Sequence, residues 1–324
     1  MIEADDTIAL AIDPESCIPT TRYVLPCNGI PPDTKEFEGV VSIAERYAKL
    51  ATPLPLAGAA ALQPLRNGSL AVTACLQREA PWMSYVIDLL DEQFRLGLWA
   101  GRPWIAHRPI LLVGPPGAGK SHFARLLADA AGTGFTLLSM AGVFDAASID
   151  ATPRTFIQPL PCLPALAMHQ ARTANPIVVV DELEKAGRSE RHGNPLAALL
   201  TLIEPSTAAA FYDRCLLAHI DVSHVNWIMT ANSIESLSPA LRSRCDIVTV
   251  PGPGPEHFDE LLRTLLRDIA RRWRIPPASM PSLEPRAEEL LRARFARSRS
   301  ARQLGRELRA ALAAGVRLTR RTIN

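Results

Sequence analysis

Residues 114–121 read Gly-Pro-Pro-Gly-Ala-Gly-Lys-Ser, and the fold is decided here. The stretch fits G-x-x-x-x-G-K-[ST], with Gly114, Gly119, Lys120 and Ser121 at the fixed positions. A short apolar run, 109–113 (PILLV), precedes it and reads as a buried strand; an Ala- and Leu-rich run, 122–131, follows and reads as a helix. Glycines let backbone N–H groups turn inward around phosphate oxygens, and a helix N-terminus adds partial positive charge. Lys120 is placed to reach the β- and γ-phosphates and Ser121 to hold Mg²⁺. Pro115, Pro116, Gly117, Ala118 and His122 complete the stretch expected to wrap the nucleotide, with ATP and Mg²⁺ as the cofactors.

Outward from this loop, strand and helix candidates alternate. Strands are expected at 110–113, 135–139, 177–181, 225–231 and 246–250, and helices at 119–131, 163–173, 195–204 and 237–244. That alternation predicts an α/β fold: a P-loop NTPase parallel sheet flanked by helices. The strands are nearly unbroken apolar runs, as a sheet covered on both faces requires. From Pro255 the pattern becomes all-helical (257–273, 284–295, 301–318), which predicts a small all-α lid beyond the hinge Pro251-Gly-Pro-Gly-Pro255. The expected organisation is 1–80, an N-terminal region of unclear structure; 81–108, a helix and linker; 109–252, the nucleotide-binding core; and 253–324, the lid. Residues 1–80 are proline-rich without a sustained period and read equally as an arm or a small adaptor packed on the core, with 39–50 and 57–62 as possible helices and 69–78 as strand or helix. Residues 81–99 carry Met83, Val86, Ile87, Leu90, Phe94 and Leu98 at helical spacing. Trp99 and Trp104 read as packing residues.

Bulk properties narrow the function. A net charge of +2 over 324 residues makes no global case for nucleic acid. No run approaches the roughly 18 apolar residues of a membrane span. The N-terminus is acidic, unlike a signal peptide. The six cysteines include no CxxC pair, which points to reduced thiols and a cytoplasmic location. The lid arginines read as a solvated face with partners such as Glu288, Glu289 and Glu307, since no aromatics are interleaved for base stacking.

Three further stretches gather around the phosphate. Residues 177–182 (IVVVDE) form an apolar strand ending in two carboxylates, aimed at the end of the sheet where ligands bind. Asp181 is expected to hold Mg²⁺ and Glu182 to act as general base on the attacking water. Residues 227–232 (WIMTAN) end a buried strand in Asn232, a neutral donor able to position that water. Residues 238–246 carry Arg242 and Arg244, which in a ring would face the neighbour's nucleotide and neutralise transition-state charge.

Together these residues resemble an AAA+ ATPase, most closely the ATPase module of Lon proteases. The further matching stretches are 175–185 (NPIVVVDELEK), 193–200 (GNPLAALL), Glu204-Pro205 and 211–213 (FYD), and the resemblance covers about 109–312. It implies that Asn232 is sensor 1 and that Arg244 is the arginine finger, with Arg242 second. It also implies that Arg302, in a stretch similar to Y-T-R-E-A-G-V-R, is the sensor 2 arginine. Residues 154–158 (RTFIQ) resemble the pore loop R-T-Y-I-G, so Phe156 and Ile157, otherwise core residues by default, become the pair that grips an extended polypeptide; Gln158 replaces the glycine.

The sequence departs from Lon in two places: nothing before Arg108 resembles the Lon N-terminal domain, and no serine–lysine protease domain follows the lid helices, so no peptidase activity is expected. The expected activity is hydrolysis of ATP to ADP and phosphate, by a homo-oligomeric ring, a hexamer, that remodels or unfolds a protein partner. A nucleic-acid motor or loader, and a slow nucleotide-dependent assembly switch, are the alternatives.

Overall fold

The computed structural model describes residues 19–26, 29–33, 42–187, 193–235, 237–276 and 279–322, with side chains to 315. Cys17, Cys27, Lys35 and the start of the expected helix at 39–50 lie outside them. The chain opens with β1 (Thr21–Arg22), α1 (Ile43–Arg46) and β2 (Leu54–Pro55), then α2 (Ala71–Glu79) and α3 (Ser84–Trp99). The core follows as β3 (Ile110–Val113), α4 (Lys120–Ala131), β4 (Phe135–Ser139), α5 (Leu163–Ala171) and β5 (Ile177–Asp181). It continues as α6 (Pro195–Ile203), α7 (Pro205–Ala208), β6 (Phe211–Asp213), β7 (Ala218–Ile220), β8 (Asn226–Ala231), α8 (Pro239–Arg242) and β9 (Asp246–Thr249). The C-terminal part is α9 (Phe258–Trp273), α10 (Pro285–Ser298) and α11 (Ala301–Thr322).

Five strands form one parallel sheet in the order β4-β5-β8-β3-β9. Alternate residues of each strand face opposite sides. Leu111, Val113, Val178, Val180, Met229 and Ala231 join one apolar cluster; Ile110, Leu112, Ile177, Val179 and Ile228 join another on the opposite face. The second cluster also takes in Phe258, Leu261, Phe295, Leu304 and Leu308, so the lid helices share a core with the sheet.

The described residues of the N-terminal segment pack on the core. Val24, Leu25, Tyr47, Leu50, Leu54 and Leu56 are buried in the first cluster. Buried Asn175 ties the segment down: its Oδ1 accepts from Ala57 N at 2.7 Å, and its Nδ2 donates to Ala57 O and to Ile105 O, each at 2.9 Å. Residues 57–62 yield only a 3-10 turn at Ala60–Leu62, and 69–78 is helical, since α2 buries Val72 and Leu76. Trp104 is core at 4% exposure, but Trp99 is 68% exposed and fills no core, because it ends α3 on the face opposite Leu90 and Phe94. The helix expected at 237–244 is shorter, Pro239–Arg242, capped by Ser238 Oγ accepting from Leu241 N.

Polar contacts tie α9 to α2 and α4, and α10 to α9. Arg267 pairs with Glu79, His122 with Asp268 at 3.5 Å, and Arg271 with Asp129 at 3.3 Å. Arg292 pairs with Asp259 at 2.5 Å and lies over the Phe258 ring. Among the described residues no helix is long and apolar enough to cross a membrane.

Candidate nucleotide site

The loop leaves β3 and enters α4 at Lys120. Gly117 and Gly119 adopt φ of +85° and +93°, backbone that side-chain-bearing residues resist. Gly114 is required for another reason: a Cβ there would lie 2.1 Å from Val250 O. A cleft of about 270 Å³ opens over the loop. Pro116 to His122, Asp181, Glu182, Thr230 and Asn232 line it from the core, Trp82 from the N-terminal side, and Leu261, Leu265 and Arg302 from the lid. Gly114 and Pro115 stand behind the cleft rather than in its wall, where their carbonyls serve Lys120.

Lys120 is 7% exposed, and its ammonium finds three acceptors: Gly114 O at 2.6 Å, Pro115 O at 3.1 Å and Asn232 Oδ1 at 3.2 Å. Burial lowers its pKa, against the opposing pull of Asp181, Glu184 and Glu182. Ser121 Oγ donates to Asp181 Oδ1 at 2.8 Å. These two hard oxygen donors suit Mg²⁺, which is commonly held by one or two carboxylates plus substrate phosphates. Among the described residues no group of three or more His, Cys, Asp or Glu forms a metal cage. The residues present therefore fit a metal that arrives with nucleotide.

Thr230 links the two acids. Its buried hydroxyl donates to Asp181 Oδ1 and accepts from Glu182 N at 3.1 Å. Glu182 sits at φ +60°, a left-handed conformation costly for a side-chain-bearing residue and characteristic of functional sites. Its carboxylate pairs with Lys185 Nζ at 2.7 Å. Asn232 Nδ2 donates to Glu184 Oε1 at 2.5 Å.

The sheet thus brings together Lys120, Ser121, Asp181, Glu182 and Asn232, and the lid adds Arg302. Arg244 is elsewhere: it is held by Glu204 Oε2 at 2.7 Å and Ala240 O at 3.0 Å and does not line the cleft. Phe156 is 60% exposed and Ile157 wholly exposed. They project from a loop anchored by Arg154, which donates to Cys215 O at 2.6 Å and pairs with Asp33 at 3.1 Å. Sequence reasoning missed Trp82, Thr230 and Glu184. The Thr-Ala-Asn run at the end of β8 and the third acid after Asp181 were the available signals for the last two; Trp82 had none.

Residues 110–252 match the family described as AAA, the ATPase family associated with various cellular activities. The chain is 40% identical over 169 residues to a Lon protease of Syntrophus aciditrophicus, covering 52% of this chain and 20% of that protein. It is 33% identical over 201 residues to Lon protease 4 of Sorangium cellulosum, covering 62% and 25%. The matched stretch thus spans a quarter or less of these relatives' own lengths. The fold is similar to that of Hsp104 in a closed-state cryo-EM reconstruction with ATPγS and FITC casein. That match has a TM-score of 0.59 and 16% identity, and covers 76% of this chain and 47% of that one.

Proposed function

We propose that this chain, whose residues 110–252 form an AAA+ module similar to the ATPase of Lon proteases, hydrolyses ATP and uses the energy to remodel or unfold a protein partner. The observation that carries the proposal is the convergence of Lys120, Ser121, Asp181, Glu182, Asn232 and Arg302 on one cleft between core and lid.

The roles follow from chemistry. The loop N–H groups and Lys120 bind the phosphates, with Lys120 exchanging its carbonyl partners for phosphate oxygens. Ser121 and Asp181 would hold Mg²⁺, which when bound neutralises phosphate charge. Glu182 leaves Lys185 and accepts a proton from the attacking water. Asn232 orients that water. Arg302 reads nucleotide from the lid. Arg244, which does not line its own cleft, serves a neighbouring subunit's site, which calls for a homo-oligomeric ring, taken as a hexamer. Phe156 and Ile157 grip an extended polypeptide. No step uses peptide-bond cleavage. Four lid arginines, Arg263, Arg267, Arg271 and Arg292, are paired with carboxylates, which weighs against a nucleic-acid motor.

ATP turnover measured with and without an unfolded protein, single-stranded DNA or RNA tests the proposal. Stimulation by unfolded protein is expected; stimulation by nucleic acid alone would overturn the remodelling assignment.

A further inference from the structure

Glu184 takes no part in the chemistry above, yet it touches the residue on which orientation of the attacking water depends. It lies in the 3-10 turn Leu183–Lys185 that follows the paired acids. Its Oε1 accepts from Asn232 Nδ2 at 2.5 Å. Its Oε2 is buried with no protein partner. Leaving a carboxylate oxygen buried and unpaired is costly, so a solvated face does not account for this side chain.

An amide has two unlike ends of nearly the same shape, and its neighbours decide which end points where. An ionised carboxylate only accepts, so it selects Nδ2. An ammonium only donates, so Lys120 Nζ, 3.2 Å away, selects Oδ1. Both neighbours enforce one orientation. The second Nδ2 proton is then the one left for the cleft, which Asn232 lines.

We propose that Glu184 is a positioning residue that fixes the Asn232 amide, presenting an N–H rather than a carbonyl oxygen to the attacking water and γ-phosphate. A flipped amide would set a carbonyl against phosphate oxygens and forfeit the contact. The proposal rests on reading the cleft as an ATPase site.

The test uses Glu184→Ala, Glu184→Gln, Asn232→Ala and the double variant Glu184→Ala/Asn232→Ala in the full chain. Glu184→Ala should lower kcat on the order of tenfold while affinity for a fluorescent ATP analogue stays within about twofold, and it should lower kcat no further in the Asn232→Ala background. Glu184→Gln keeps an acceptor within reach and should lose less. Unchanged kcat in Glu184→Ala, or independent losses in the double variant, overturns the proposal. The nucleotide-free side-chain amide NMR spectrum gives a readout independent of turnover. One Asn232 Nδ2 proton should resonate downfield in the wild type and return to the ordinary range in Glu184→Ala, with an intermediate position in Glu184→Gln should the alanine variant not fold; no movement in either overturns the proposal. A wild type that shifts as expected but never hydrolyses ATP overturns the ATPase reading instead and leaves the Glu184–Asn232 orientation established.

Discussion

Ser121 Oγ donates to Asp181 Oδ1 at 2.8 Å although their strands are not neighbours. Ser121 follows β3 and Asp181 ends β5, and β8 runs between those strands. The register aligns Val113 with Ala231 and Val180 with Met229, so the carboxyl end of β8 emerges between the loop and the acids. Thr230 and Asn232 enter the site for that reason.

Metal-dependent nucleotide binding should depend on this pair. Asp181→Asn and Ser121→Ala should each weaken Mg²⁺-dependent ATP affinity by about tenfold or more, near 1.4 kcal/mol. Binding in EDTA should change little. Titration of a fluorescent ATP analogue with and without Mg²⁺ checks this.

Gly117 is held twice, by its φ of +85° and by the lid. A Cβ there would lie 2.8 Å from Ser300 Oγ. Gly117→Ala should cost about 1–2 kcal/mol in backbone strain and also weaken ATP binding, because Gly117 lines the cleft and its new methyl group would turn the Ser300 hydroxyl aside. Gly68, at φ +81° with nothing within 4 Å of the added Cβ, supplies the control. Gly68→Ala should lose similar stability in thermal unfolding and bind ATP normally.

Stability should fall on mild acidification because of His107. Burial holds its pKa down at about 4, from an ordinary 6.5, against the opposing influence of the Arg108 carbonyl and Asp246. Nδ1 donates to Arg108 O at 2.7 Å, while Nε2 is buried without a partner. The unfolded chain takes up the proton below 6.5 and the folded chain only near 4. Stability is therefore fully present above pH 6.5 and is lost as pH falls towards 4, by at most about 1.4 kcal/mol per pH unit. Urea unfolding across this window should show the slope, and His107→Gln should reduce it.

Phe156 and Ile157 carry substrate rather than core, if the exposed loop works as proposed. Phe156→Ala should leave unfolding free energy within about 0.5 kcal/mol, as for other exposed positions. Basal ATP turnover should persist while stimulation by unfolded protein is lost. Retained stimulation would remove Phe156 from that role.

The parts of the site legible in the sequence were those fixed by local spacing. Gly119, Lys120 and Ser121 are set by one turn and Asp181 and Glu182 by one strand end, and all five line one cleft. Thr230, Trp82 and Glu184 depend on strand order and on how residues before the core fold back, which no local period encodes. The short hairpin β6–β7 escaped because three-residue strands show too little alternation to read. Trp99 was misjudged because an aromatic ring at a helix end can face solvent as easily as core.

Glu182→Gln is the most direct test of ATP hydrolysis at this cleft. The amide keeps the shape of the side chain but cannot accept the water's proton, and general-base catalysis contributes typically 10²–10⁴-fold. ATP affinity measured by calorimetry should stay within about threefold of wild type, while single-turnover hydrolysis should slow by about a hundredfold or more. Hydrolysis at the wild-type rate with intact binding would contradict the assignment of Glu182 and the catalytic reading of the cleft built on it.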